Sequence, residues 1–480
     1  MLSIFDRSFE NSLSRREFLR VGSLALGGLA LPGLLASRGA ANPALRRAVK
    51  DKSVVMLFLQ GGPPQIETFD PKMNAADTRA RSITGEVQTS LPGATFGGTF
   101  PKLARHAHRT AVVRNFSVGR GGPSHERGYE LVLAGGETIG ATMGSIYARA
   151  AGSTHLTTGM PNNAIILPEA VDPGIQLGGP SGAFTLQQTL RYLASAGGLG
   201  TPYAPFNPSG GGQLLSNLQL RLTRQEFDDR RRLLSQLDSL QRQLDATGEL
   251  TGADQFQQQA YEVLMRGVAQ AFDLRREDPR VIAAYDTSNM VPISDIRRGG
   301  SRYRNNFNRS TNLLGKQMLM ARRLCEAGCG FVTVVDSCWD FHNDGNNTPV
   351  QEGFDVLGPQ ADHAIAAFLS DVEARGLSDK ILLIVTAEFG RTRPDARGGT
   401  GHWGELCPLL LAGGGLRMGQ VIGASDRTGL RAAGDPYTPQ HLLATVMHTL
   451  FDIGEVRVTP DLPRNILATI TNGRPIPELI

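Results

Sequence analysis

Six continuous apolar runs, each followed by a polar or glycine-rich segment, constrain this 480-residue chain more than any other feature. They cover residues 53–60, 110–116, 164–167, 331–336, 381–386 and 408–412. The runs do not alternate apolar with polar, so each is expected to be a strand covered on both faces. Helical patterns lie between several of them. Residues 311–327 precede the run at 331, and residues 360–375 precede the run at 381. In the second, Ala361, Ile365, Phe368, Leu369 and Val372 recur at helical spacing. Helices alternating with buried strands predict an α/β fold: an α/β/α sandwich with a mostly parallel central sheet. In such sheets ligands bind beyond the carboxyl ends of the strands, so the segments just after the runs carry the functional expectation.

The N-terminal forty residues read as an address. Arg15-Arg16 is followed by Phe18-Leu19, then by an apolar run over 21–35, then by small residues up to Ala41. That is the layout of an export signal, and paired arginines resemble the twin-arginine type. With its four glycines, the run is too short for a comfortable membrane span. An uncleaved anchor is the alternative. The expectation is a twin-arginine signal over 1–41 and a periplasmic or secreted bacterial protein over 42–480, with no stable membrane span after cleavage. A formal net charge of +4 falls to about +2 without the signal, which gives no argument for a nucleic-acid partner.

Residues 200–310 break the strand–helix alternation and read as a helical insertion. Leu233, Leu237, Leu240 and Leu244 form a short heptad-like stripe there, either packed on the main domain or open to a partner protein. Four cysteines, Cys325, Cys329, Cys338 and Cys407, are too few for a disulfide scaffold. They read as mostly buried thiols with room for one disulfide. The oligomeric state is not legible.

The polar residues that follow the runs are of metal-binding type. Asp340 and His342 come after the run ending at Asp336, and their spacing of two points both side chains the same way on an extended segment. Glu388 and His402 would complete a four-ligand set from neighbouring strands, mixing imidazole and carboxylate as zinc and manganese sites do. Arg391 is placed to clamp a phosphate or sulfate oxygen bidentately. Each has a plainer reading. Asp340 and His342 would cap a turn, Glu388 would pair with Arg391, and His402 would be a packed loop histidine. Gly61-Gly62 offers backbone N–H groups to a phosphate, on weak grounds. Ser124-His125 is not a dyad by adjacency alone, because sequence neighbours seldom face each other.

Taken in order, several motifs are specific. They are Thr68-Phe69-Asp70-Pro71-Lys72, Ser124-His125-Glu126, Trp339-Asp340-x-His342, Glu388-Phe389-Gly390-Arg391-Thr392 and Gly401-His402-Trp403. With the twin-arginine signal they resemble the domain-of-unknown-function 1501 family, common in planctomycetes and related bacteria. That family is similar to the alkaline phosphatase/sulfatase superfamily. The resemblance implies an alkaline phosphatase-like sandwich and a hydrolase of phosphate or sulfate esters, acting on a small-molecule or glycan ester. It also implies a divalent ion on Asp340, His342, Glu388 and His402, zinc first, with calcium and manganese as alternatives. Counting along the superfamily pattern puts the attack position at His125, with Ser124 beside it. His125 would then be a base, a phosphoryl acceptor or itself a ligand. Several acids of the superfamily pattern are absent, which suits one ion better than two. It also leaves open a catalytically silent protein that binds an anion or a glycan.

Overall fold

Why the runs become strands is visible in their burial: residues 54–59 are each at most 1% exposed. A Val, Leu or Phe side chain so covered contributes about 1.5–3 kcal/mol over an exposed one. The computed structural model describes residues 43–120, 123–136, 139–172, 186–200, 203–209, 268–290, 312–345, 347–459 and 462–480. The proposed signal and the Leu233–Leu244 stripe lie outside the described residues. Of the expected 200–310 insertion, residues 200, 203–209 and 268–290 are described.

Eleven strands occur among the described residues. They are β1 (Ser53–Leu59), β2 (Glu86–Gln88), β3 (Thr95–Gly97), β4 (Thr110–Val113), β5 (Asn163–Ile166), β6 (Phe331–Asp336), β7 (Ile381–Thr386), β8 (Gly390–Arg391), β9 (His402–Trp403), β10 (Leu409–Gly413) and β11 (Gln420–Ile422). Seven form the central sheet in the order β11-β4-β10-β7-β1-β6-β5. All its pairings are parallel except those of β10, which runs against β7 and β4. Two small ladders pair β2 with β3 and β8 with β9.

The helices that matter for the site are α1 (His125–Ala134), α2 (Met143–Ala151), α3 (Leu314–Glu326), α4 (Val350–Ala374) and α5 (Pro439–Leu450). α3 packs on β1, β5 and β6 with α4 beside it; α2 and α5 reach the same sheet in a separate group with α1. The architecture is the expected α/β/α sandwich with a mostly parallel sheet. No helix among the described residues is long and apolar enough to cross a membrane.

Three local expectations are corrected. β4 stops at Val113 rather than 116, because its ladder with β11 ends at Ile422 and the partner strand turns away at Gly423, φ +63°. α4 starts at Val350, ten residues before the expected start, with Pro359 inside it. The missing N–H and ring clash of an internal proline cost about 3 kcal/mol. Burial of Val350, Phe354 and Leu357 in the first two turns offsets that. The disulfide for which there was room is not formed: all four cysteines are free thiols, three of them buried.

Candidate metal centre

β7, β1 and β6 are adjacent parallel strands, and the three segments leaving their carboxyl ends meet at one place. Beyond β6 the chain turns at Cys338, whose φ is +78°, and the side chains that follow alternate in direction. Trp339 and Phe341 are fully buried on one side, where they pack against Phe354 of α4 at ring distances of 5.5 and 5.4 Å. Asp340 and His342 therefore face the other side, toward the site, as a period of two requires. Beyond β7 come Glu388 and Arg391, and the β8–β9 ladder sets Arg391 opposite His402. His125 arrives from the first turn of α1. Gly128, one turn on, has no Cβ to keep α1 away; a Cβ there would lie 2.7 Å from the Cβ of Glu388.

One ligating atom each from His125, Asp340, His342 and His402 lies within 4.8 Å of all the others. His342 Nε2 is 2.9 Å from Asp340 Oδ1, and His125 Nε2 is 3.6 Å from Asp340 Oδ2. The far side of every imidazole is fixed by an oxygen. His342 Nδ1 meets Thr400 O at 2.7 Å, His402 Nδ1 meets Pro123 O at 2.9 Å, and His125 Nδ1 meets Glu388 Oε1 at 2.7 Å. Carbonyls only accept, so the Nδ1 atoms of His342 and His402 carry protons. Their Nε2 atoms then face each other at 3.0 Å. Two lone pairs do not sit at that distance unless a proton or a cation lies between them. In a tetrahedral zinc site with bonds of 2.0–2.1 Å, neighbouring nitrogens are about 3.3 Å apart.

Burial and neighbouring charges set the protonation of each group. Burial lowers the His402 pKa, and the charges of His125 and Arg391 lower it further, to about 4, so its Nε2 is unprotonated near neutrality. Burial would also lower His125, but hydrogen bonds to Asp340 and Glu388 override it and raise His125 to about 9. Burial would raise Asp340. Contacts with His125, His342 and Arg391 instead hold it far below the usual carboxylate range. Once an ion has displaced the His125 proton, Asp340, Glu388 and Arg391 sum to one negative charge, which one divalent ion turns to one positive. These donors fit a single divalent ion.

One expected ligand, Glu388, falls outside the cluster. Glu388 is fully buried and stands behind His125, its Oε1 taken by His125 Nδ1 and by the Gly61 N–H at 2.7 Å. His125, for which ligand was one of three expected roles, lies in the cluster instead. A carboxylate behind a histidine ligand sets its tautomer and ring orientation. Glu388→Gln is accordingly expected to weaken ion binding about 10–100-fold while the protein stays folded, read by equilibrium dialysis. An unchanged affinity would show that Glu388 does not orient His125.

Arg391 is fully buried, with Nε donating to Gly62 O at 2.8 Å and Nη2 donating to Gly61 O and Asp340 Oδ1. Its donor edge is spent on the protein, so the bidentate clamp expected for a substrate anion is not available. Ser124 is exposed, and its Oγ accepts the Arg127 N–H at 3.3 Å as the N-cap of α1. Gln65, missed from sequence, holds the Arg391 backbone from both sides, accepting its N–H at 3.0 Å and donating to its carbonyl at 3.2 Å. No periodicity or motif marks it.

Comparison with known proteins places this geometry in context. The family described as "Protein of unknown function (DUF1501)" matches residues 51–478. No curated protein matches the chain significantly. Solved structures similar to it include PsFucS1 sulfatase from Pseudoalteromonas sp., at 12% identity and TM-score 0.34, covering 94% of this chain and 77% of that one. A protein in the alkaline phosphatase superfamily from Vibrio parahaemolyticus aligns at 10% identity and TM-score 0.33, covering 88% and 77%. The phosphonate monoester hydrolase SpPMH from Silicibacter pomeroyi aligns at 11% identity and TM-score 0.26, covering 89% and 76%. None of these likenesses assigns an activity to the chain.

Proposed function

We propose, on the premise that this chain belongs to the DUF1501 family, that it is a metal-dependent hydrolase of phosphate or sulfate esters. One divalent ion is held by His125, Asp340, His342 and His402. The observation that carries this is the set of three imidazoles, each pinned at Nδ1 by an oxygen and each presenting Nε2 to one small volume beside Asp340. A divalent ion there supplies Lewis acidity toward an ester oxygen and toward water.

The chain's own residues do the rest. Asp340, His342 and His402 are partly exposed, with side chains 17%, 27% and 21% accessible, so a substrate reaches one side of the centre. The net positive charge of the loaded site favours an anionic ester over a neutral one. In this reading water is the attacking group, and Ser124 Oγ serves as the helix cap. Three imidazoles and one carboxylate favour zinc, then manganese. Calcium prefers an all-oxygen shell. Small esters and ester-bearing glycans both fall within the proposed substrate class. We place the protein outside the cytoplasm on the Arg15-Arg16 motif; converting both to Lys is expected to retain it in the cytoplasm.

One observation favours a second reading, a silent anion- or glycan-binding protein. Arg391 and a protonated His125 already balance Asp340 and Glu388 without any ion. Hydrolysis of aryl phosphate and aryl sulfate esters by the folded protein, before and after chelation, separates the two. Turnover that chelator abolishes and zinc or manganese restores supports the enzyme. No bound ion, a melting temperature unchanged by chelator and no turnover of either ester support the binder.

A further inference from the structure

Three oxygens surround the guanidinium of Arg391. Gly62 O, Gly61 O and Asp340 Oδ1 each accept from it, and its remaining Nη1 lies 3.4 Å from His342 Nε2. The two carbonyls converge because Gly61 and Gly62 take φ of +120° and +84°, a backbone that L side chains rarely adopt. Neither position has room for a side chain either: a Cβ on Gly61 would lie 2.4 Å from Asp340 N, and one on Gly62 2.6 Å from the Phe389 ring. The cradle is thus built by sequence, and Gln65 locks the Arg391 backbone into it.

Two backbone carbonyls and a carboxylate oxygen are the donors of a hard-cation site. We infer that Arg391 is a resident cation: its guanidinium fills an oxygen-lined cation position beside the His125–Asp340–His342–His402 centre and thereby limits that centre to one ion. This rests on the reading of the centre as a metal site. It gives Arg391 a role different from clamping substrate. The residue supplies a fixed positive charge that a second ion would otherwise bring, and it holds Asp340 Oδ1 so that Oδ2 faces His125.

The test uses the folded, full-length protein with Arg391 intact, with Arg391→Met, and with Arg391→Lys. Bound zinc and calcium are counted after equilibrium dialysis, and melting temperature is followed into millimolar calcium. The intact protein is expected to hold one zinc and to melt at a calcium-independent temperature. Arg391→Met is expected to keep the zinc, gain one calcium and regain several degrees of melting temperature as calcium is added. Arg391→Lys, which restores a cation, is expected to behave like the intact protein. If Arg391→Met does not accumulate, Arg391→Gln, which keeps an amide donor for a carbonyl, is measured in its place. A folded variant with no second ion and a calcium-independent melt overturns the inference while leaving the zinc reading intact. An intact protein without zinc, beside a variant that gains calcium, does the reverse.

Discussion

Asp340→Ala is expected to strip the ion from this protein and to destabilise it at the same time. Asp340 is the one carboxylate in the proposed ligand set, and three cationic or imidazole groups converge on it: His125, His342 and Arg391. Loss of a partner standing behind a ligand costs about 10–100-fold in affinity, so loss of the charged ligand itself is expected to exceed about 100-fold. The fold suffers separately. Arg391 has no exposure and would be left with carbonyls alone. Removing one member of a buried pair costs about 3–5 kcal/mol. Dialysis against zinc and urea denaturation measure the two effects independently. A variant that binds zinc like the intact protein would remove Asp340 from the site. One that binds no ion but is as stable as the intact protein would show that Arg391 does not depend on it.

The second large effect is predicted at Trp339, which is fully buried beneath the site. Trp339→Ala removes the ring that Phe341 and Phe354 pack on and is expected to cost about 3–5 kcal/mol. It also removes the indole N–H that donates to Asp336 Oδ2 at 2.8 Å, while Oδ1 has no partner among the described residues. Burial pushes Asp336 up from 3.8 to about 7 despite that bond. A carboxyl raised in the folded state favours folding fully below its unfolded value, and the benefit is lost as pH rises through the folded value. The intact protein should therefore lose stability between about pH 4 and pH 7 from this group. Trp339→Phe keeps most of the volume but not the N–H. It is expected to carry the loss to higher pH, with most of its cost appearing above about pH 7. Urea midpoints measured across that range decide it. A Trp339→Phe penalty independent of pH would show that Asp336 is not the titrating group.

Much of the fold was legible because its strands are buried on both faces and bracketed by turn residues. β6 and β7 have the bounds expected from sequence. β11 was not legible: three residues between Gly419 and Gly423, of which only Ile422 is buried, give no run to read. α4 was cut short because Pro359 reads as a break; the burial of Val350, Phe354 and Leu357, with Trp339 and Phe341 packed on Phe354, carries the helix through it. In the site, the spacing of Asp340 and His342 was informative because Trp339 and Phe341 are buried on the opposite side. Sequence could not order Glu388 and His125. Both are of ligand type, and which one touches the ion depends on how closely α1 approaches β7, a distance set by the absence of a side chain at Gly128. The carbonyls of Thr400 and Pro123, which aim two of the imidazoles, leave no mark on the sequence.

The most direct test of the account is anomalous diffraction from crystals of the zinc-loaded protein, recorded on both sides of the zinc edge. One zinc peak is predicted, at bonding distance from the Nε2 atoms of His125, His342 and His402 and from an Asp340 oxygen, with Glu388 behind His125. A site empty of zinc, or a peak ligated by Glu388 with His125 turned away, would contradict it.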